Sequence, residues 1–454
     1  MRDDPESPPR PRRLAPLIIA VPIILGLAVR LVGIRHGEPD KVYHPDIAKQ
    51  TRVAISLFND GVVDLRGLYK EDVRFTMYPY GTAHILAHAG RAYVALTSDN
   101  AFGDVHCWTW ALRMRYLSAT FFAVSMVILL CGLYGRLGPA GILLVGLLLA
   151  FEPTHNLYSH YGMNDVPLVA TLLLTWLFSG HIAGSQRAAL YAFLSGFFLG
   201  LGFGIKYQAI LGVIFPLCGI IASLAMKRVR PAMAATICVA AGILVACAMS
   251  APLIFTDPGY FLTQFPEFMK WQANILGEPS SLTENLSRNI PRFVELALTP
   301  GRWLLLPMLV MSVYRLVRRS NRDPSDVAWS GSALAFCAIL ATLLVTSRDI
   351  VRDNDLMPIH AFVIIIAGFM IGCRRDHAPA IALKQRARTL GRVFGSIACL
   401  FFIGESLADS RALSRPDTRI LARDWCRENI PTGSIVIRER YTLPIDLEGI
   451  EEHA

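Results

Sequence analysis

Along most of the chain apolar residues come in long blocks, broken by short charged or Pro- and Gly-marked joints rather than by polar positions at helical or strand spacing. Roughly 18 uncharged residues are enough for a helix to cross about 30 Å of hydrocarbon. Runs at or near that length occupy Leu14–Gly33, Leu117–Tyr134, Gly138–Phe151, Val166–Ile182, Ala188–Gly204, Ile210–Met226, Ala232–Phe255, Trp303–Val317, Ala328–Thr346, Met357–Cys373 and Val393–Ala408. They predict an all-α polytopic membrane protein of about eleven transmembrane helices.

Two gaps between the runs, residues 34–112 and 256–302, are too long for simple turns. In the first, HPDIAKQTRVAISLF places Ile47, Ala54, Ile55 and Phe58 on one helical face, and YPYGTAHILAHAGRAYVAL forms a second weakly apolar stretch. In the second, YFLTQFPEFMKWQANIL carries Phe261, Phe265, Phe268 and Trp271, which suit the headgroup level of a bilayer. Amphipathic helices on the membrane surface are expected in both. From Asp417 the text changes to TRILARDWCRENIPTGSIVIRERYTL, which reads as an amphipathic helix, a Pro-Thr-Gly turn and a strand, the start of a rudimentary α/β tail. The expected divisions are an N-terminal tail (1–13), a transmembrane unit (14–408) and a short C-terminal segment (409–454).

Composition agrees: of 454 residues, 53% are hydrophobic and 17% charged, a balance too apolar for a soluble chain. The net charge of +9 does not indicate nucleic acid, because the basic residues form no stripe and do not alternate with aromatics. Topology accounts for them. With the basic N-terminus in the cytoplasm, the loops on that side carry Arg136, Arg187, Lys227, Arg228, Arg230, Arg315, Arg318, Arg319, Arg322, Arg374, Arg375, Lys384, Arg386 and Arg388. The opposite short loops carry only Lys206, Arg348 and Arg352. Both long gaps and the tail then lie outside. The first apolar run exceeds a signal-peptide core and lacks a small-residue cleavage pattern, so it reads as an uncleaved helix. Cys107 and Cys426 are the exported cysteines, and a disulfide between them is the minority expectation.

Two outer aspartates are candidates for chemistry. Asp46 heads the first loop helix in YHPDIAKQ, and Asp165 starts the fourth transmembrane run in SHYGMNDVPLVA. Helix capping explains either one taken alone. Together with His44 and His160 they place four ionisable groups on one side at interface depth, where such groups are costly and mark function. Lys206 in GLGFGIKYQ, and Arg348 and Arg352 in SRDIVRDNDLMP, supply the cations that an anionic lipid phosphate requires. Snorkelling, or pairing with Asp349, Asp353 and Asp355, is the competing explanation for the arginines. Tyr78 in TMYPYGTA is less specific, since interface aromatics explain it about as well. A carboxylate base beside a phosphate-binding cation suggests transfer chemistry on a lipid phosphate.

The order of these motifs (an acidic motif in a large first outer loop, a YP segment, S-H-x-x-x-x-D before the fourth helix, G-x-x-K-Y after the fifth) resembles the GT-C-fold glycosyltransferases. The nearer likeness is to the branch containing dolichyl-phosphate-mannose protein mannosyltransferases and the aminoarabinose lipid A transferase. It spans residues 14 to about 445, tail included. The resemblance implies a polyprenyl-phosphate sugar donor attacked at its anomeric carbon by an acceptor hydroxyl, with inversion. It makes Asp46 the general base and Asp165 an orienting carboxylate. Lys206 and Arg352 would hold the phosphate, with His44, Tyr78, His160 and Arg348 as further substrate contacts. The chain departs from the pattern at Ile47, where the family usually has Glu, with His44 a candidate substitute. The outer C-terminal domain is nearly absent, which leaves the acceptor class (protein, lipid or glycan hydroxyl) open. No cofactor is expected to be required; a divalent metal on His44, Asp46, His160 and Asp165 is the alternative, though their spacing does not demand it. A bacterial plasma membrane is the expected location. The competing functions are a ligase or polymerase of lipid-linked glycans and a flippase. A flippase predicts midplane charges and matched broken helices in two halves, which the sequence lacks.

Overall fold

The structure is a computed structural model that describes residues 15–37, 45–61, 72, 76–98, 106–273, 281–299, 301–319, 327–348, 350–372, 381–431, 434–437 and 451–453. Every predicted apolar run falls on a helix. They are α1 (Ala15–Leu31), α4 (Cys107–Ala150), α6 (Asp165–Ser179), α7 (Ala188–Ile205), α8 (Ile214–Ala225), α9 (Val229–Ser250), α12 (Leu306–Arg319), α13 (Ser332–Ser347), α14 (Asp353–Gly372) and α15 (Ile381–Leu413). Helix α4 contains two of the runs, divided at Gly138, whose φ of 67° precedes Pro139. Among the described residues six helical segments are long and apolar enough to cross a membrane, and Ala15–Leu31, Asp165–Ser179 and Trp303–Tyr314 are shorter apolar helices. The chain is an integral membrane protein.

The gaps between runs are helical as well. The first holds α2 (Pro45–Asp60) and α3 (Gly81–Thr97); α5 (Pro153–Tyr161) links α4 to α6. The second gap holds α10 (Pro258–Ala273) and α11 (Leu282–Ala297). The tail consists of α16 (Thr418–Asn429) and two short strands, β1 (Ile435–Ile437) and β2 (Glu451–His453), paired in parallel. The expected apolar face of α2 is present but shifted. Ile47, Val53, Ala54 and Leu57 are its buried positions, and Ile55 and Phe58 are half-buried.

Helices α7 and α9 meet along a glycine seam, Gly196, Gly200 and Gly204 at four-residue spacing. A Cβ on Gly196 would lie 2.1 Å from the Val239 carbonyl oxygen, and one on Gly200 2.6 Å from that of Ile243. Apolar helices in lipid gain little from burying hydrophobic surface against one another, so close backbone approach over small residues supplies the contact. The seam also seats the first long gap, because a Cβ on Gly81 would come within 2.6 Å of the Gly204 carbonyl oxygen. The start of α3 is thereby fixed against the end of α7, two residues before Lys206.

At this end of the bundle buried polar groups join the helices. The Arg30 guanidinium on α1 donates to the carbonyls of Gly26 (2.9 Å) and Ala150 (2.7 Å) and to Ser159 Oγ (3.1 Å). Arg302 pairs with Glu152 at 2.7 Å, donates to Thr154, and donates to the Leu296 carbonyl at 3.0 Å. The ends of α1, α4, α5 and α11 are thus fixed by charge-assisted bonds where backbone carbonyls run out of helical partners.

Candidate active site

Asp165 is the first residue of α6, and the preceding Asn164 makes no side-chain cap. The capping explanation for Asp165 therefore gives way to a buried ion pair. Its side chain is 3% exposed and Oδ1 accepts from Lys206 Nζ at 2.7 Å and from Asn354 Nδ2 at 3.2 Å. Lys206 occupies the break where α7 ends and a 3₁₀ segment, Tyr207–Val213, begins. Its backbone there is extended (φ −158°, ψ 126°), which turns the side chain out of the helical path. Asn354 lies in the first turn of α14, so three helices of the bundle converge on one carboxylate oxygen.

Asp46 lies in the first turn of α2 and is 28% exposed, with Lys49 Nζ 3.1 Å from Oδ1. Tyr78 stands between the two aspartates. Burial, followed by the charges of Asp46 and Asp165, pushes its phenol well above the ordinary tyrosine range, so the hydroxyl stays protonated and hydrogen-bonds Asp46. Lys49 also lies 5.8 Å from the Tyr78 ring centroid. A second link runs deeper. Gln50, one turn after Asp46, bonds Thr82, Thr82 bonds Asn164, and Asn164 Nδ2 donates to the Pro79 carbonyl at 3.0 Å. Gln50, Thr82 and Asn164 are all buried. The aspartates thus sit on one hydrogen-bonded frame although 119 positions separate them in sequence.

The two arginines differ. Arg348 pairs with buried Asp355 at 3.1 Å, whereas Arg352 is exposed and has no ion pair among the described residues. The Arg352 backbone N–H donates to the same Asp355 carboxylate at 3.2 Å, so one anion at the start of α14 organises both. Tyr158 of α5 lies between these groups and Asp165. Burial, then Asp165, Asp353 and Asp355, raise its phenol above the usual range against the opposing Arg352.

His160 is 2% exposed, and its ring nitrogens lie 2.9 Å and 2.7 Å from the carbonyls of Asn156 and Val32. The structure places it at the end of α1 rather than with the aspartates. Burial lowers its pKa despite both carbonyl contacts. His44 lies outside the described residues. Cys107 and Cys426 are free thiols, and Cys107 Sγ is 2.7 Å from Thr51 Oγ1, so the minority expectation of a disulfide is not met.

Asp46 and Asp165 are each paired with a lysine, and no three His, Cys, Asp or Glu side chains converge among the described residues, which do not include His44. Asn354, Tyr158 and the Gln50–Thr82–Asn164 chain escaped the sequence reading, whereas Asp355 was named there as a partner of the arginines and does pair with Arg348. The signals for the residues that escaped were faint: Gln50 shares a helical face with Asp46, and Asn164 and Asn354 adjoin residues already singled out.

No family model matches the sequence, and no curated protein does. Solved structures do match. ArnT from Cupriavidus metallidurans bound to undecaprenyl phosphate aligns over 96% of this chain and 85% of its own at 12% identity, with a TM-score of 0.57. The apo form of the same protein aligns over 94% and 83% at 14% identity, TM-score 0.53. The fold is GT-C. The archaeal oligosaccharyltransferase AglB from Archaeoglobus fulgidus, in complex with an inhibitory peptide and a dolichol-phosphate, aligns over 93% of this chain at 11% identity and a TM-score of 0.56. This chain covers 58% of AglB. In this GT-C bundle, helices α2 and α3 of the first long gap pack at the end where Asp165, Lys206 and Asn354 meet.

Proposed function

We propose that the protein is an inverting glycosyltransferase that moves a sugar from a polyprenyl-phosphate donor to an acceptor hydroxyl at the outer face of a bacterial plasma membrane. The observation that carries this reading is the frame just described, in which a partly exposed carboxylate and a buried one share a tyrosine beside an exposed arginine that has no ion pair among the described residues. Its place at the end of a GT-C bundle, and the polyprenyl phosphates named for ArnT and AglB, favour a lipid-phosphate donor.

Asp46 accepts the proton of the acceptor hydroxyl as that oxygen bonds to the anomeric carbon, and the bond from that carbon to the phosphate oxygen breaks on the opposite face. Tyr78 and Lys49 aim the Asp46 carboxylate. The departing polyprenyl phosphate keeps the bonding electrons, and Lys206 and Arg352 stabilise the charge that develops on it. Lys206 has three donors and spends one on Asp165, so a phosphate oxygen can take another. Asp165 keeps that ammonium in place and orients the sugar beside Asn354. Arg348, held by Asp355, supports the Arg352 loop. His44 completes the acceptor side, and His160 acts through the end of α1. Residues 14–408 form the transferring unit, with the N-terminus cytoplasmic and residues 409–454 outside.

Transfer of radiolabelled sugar by the purified protein from a panel of polyprenyl-phosphate monosaccharides tests the reading. Transfer from at least one member, lost in Lys206→Ala and Arg352→Ala, is expected. No transfer from any member, with polyprenyl phosphate still bound, would favour a ligase or flippase.

A further inference from the structure

Helix α11 is unusual in what it buries. Its exposed side chains include Leu282, Ile290 and Val294, with Leu298 just beyond its end, all at multiples of four residues, the pattern of a helix lying against lipid. The neighbouring face turns inward two asparagines, Asn285 at 7% and Asn289 at 0% exposure. An uncharged amide with no access to water is costly unless its groups are met. Those of Asn289 are met by one partner, the loop that carries the two arginines.

Asn289 Nδ2 donates to the carbonyls of Arg348 (2.6 Å) and Val345 (3.4 Å), and Oδ1 accepts from the Val351 N–H at 3.1 Å. Carbonyls on one side and an N–H on the other fix the orientation of the amide. Asn285 adds a bond from Nδ2 to the Thr346 carbonyl at 3.1 Å. The contacts bracket Arg348 and stop at the residue before Arg352. The helix that makes them is held at both ends. A capping box of Ser281 and Glu284 closes its start, and Arg302, fixed on Glu152, takes the Leu296 carbonyl near its finish.

We propose that Asn289 is a positioning residue for donor binding: from helix α11 it holds the backbone at Val345, Arg348 and Val351 and so the place of the Arg352 guanidinium that meets the donor phosphate. The inference rests on the proposed transfer reaction and adds that the grip on the lipid phosphate depends on the second outer loop. Asn289 touches no substrate and acts only through the arginine loop.

The test uses the full-length protein in detergent or nanodiscs. Asn289→Leu keeps the branched side-chain skeleton, with somewhat greater bulk, but removes all three hydrogen bonds, and Asn289→Ser, too short to reach both carbonyls, serves if the leucine variant does not fold. Expected are a donor KM and a Kd for polyprenyl phosphate raised about 10-fold, a lowered kcat because Arg352 also stabilises the departing phosphate, and an acceptor KM within about 2-fold. Amide hydrogen exchange should be faster across residues 345–356. On an Arg352→Ala background, where transfer is lost, the same substitution should change the Kd for polyprenyl phosphate by less than about 2-fold, since the group it positions is gone. An unchanged donor KM, or an undiminished effect without Arg352, overturns the proposal. If the native protein transfers from no donor, the proposed reaction falls instead. The Kd for polyprenyl phosphate alone then decides on Asn289 by the same factors.

Discussion

Replacing Lys206 by Met separates what the Asp165–Lys206 pair does for the fold from what it does for the reaction. Asp165 is 3% exposed and Lys206 21%, and the contact is 2.7 Å. Without the ammonium, Asp165 keeps only the Asn354 amide at 3.2 Å. Stranding a buried charge in this way costs about 3 kcal/mol. Asp165→Asn is milder, about 1 to 2 kcal/mol, because the partly exposed lysine can turn toward water. In the double variant neither charge is stranded, so its loss is smaller than that of Lys206→Met alone. At an unfolding entropy near 2 cal/mol/K per residue, 454 residues make each kcal/mol worth about 1 °C in Tm. Thermal unfolding in detergent should thus show a fall of about 3 °C for Lys206→Met, partly recovered by adding Asp165→Asn. Transfer should be lost in both. Additive losses, or a Lys206→Met protein as stable as the native one, would refute the buried-pair argument.

The Arg302 and Glu152 side chains are both buried in a satisfied pair, so Arg302→Met should cost about 3 kcal/mol, read as lower Tm and lower yield of folded protein. Burial lowers the His160 pKa, so the unfolded chain binds this proton first. Stability is therefore fully present above pH 6.5 and is lost as pH falls below it, by up to about 1.4 kcal/mol per pH unit until the folded pKa is passed. A Tm series from pH 7.5 to 5 should show this, and His160→Asn should make it shallower without abolishing it, because burial lowers the pKa of His84 and His155 as well. Gly196→Leu places a side chain against the Val239 backbone and should abolish the α7–α9 seam, seen as loss of the monodisperse peak in size-exclusion chromatography. With both aspartates lysine-paired, transfer should survive EDTA, and dependence on an added divalent cation would contradict the reading of the site.

The bundle was legible in the sequence because a membrane helix announces itself by length and lack of charge, as Ala188–Ile205 and Val229–Ser250 do. The candidate aspartates were legible for the related reason that a charge beside an apolar run is conspicuous. The partnership of Asp165 with Lys206 and Asn354 was not, since it spans 41 and 189 positions and depends on how three helices pack. Nor was the arrest of His160 by two carbonyls, because the SHYGMND text is equally compatible with a ring facing substrate. Asn289 illustrates the same limit. In LTENLSRNIPRFVELA it looks like a surface residue, and only the loop docked against it makes it a buried one.

The most direct test of the account compares native protein with Asp46→Asn, measuring sugar transfer from a polyprenyl-phosphate donor alongside the Kd for that donor. The account predicts unchanged donor affinity with transfer reduced at least about 100-fold, as expected when a general base is removed. An Asp46→Asn protein that transfers at the native rate would contradict it.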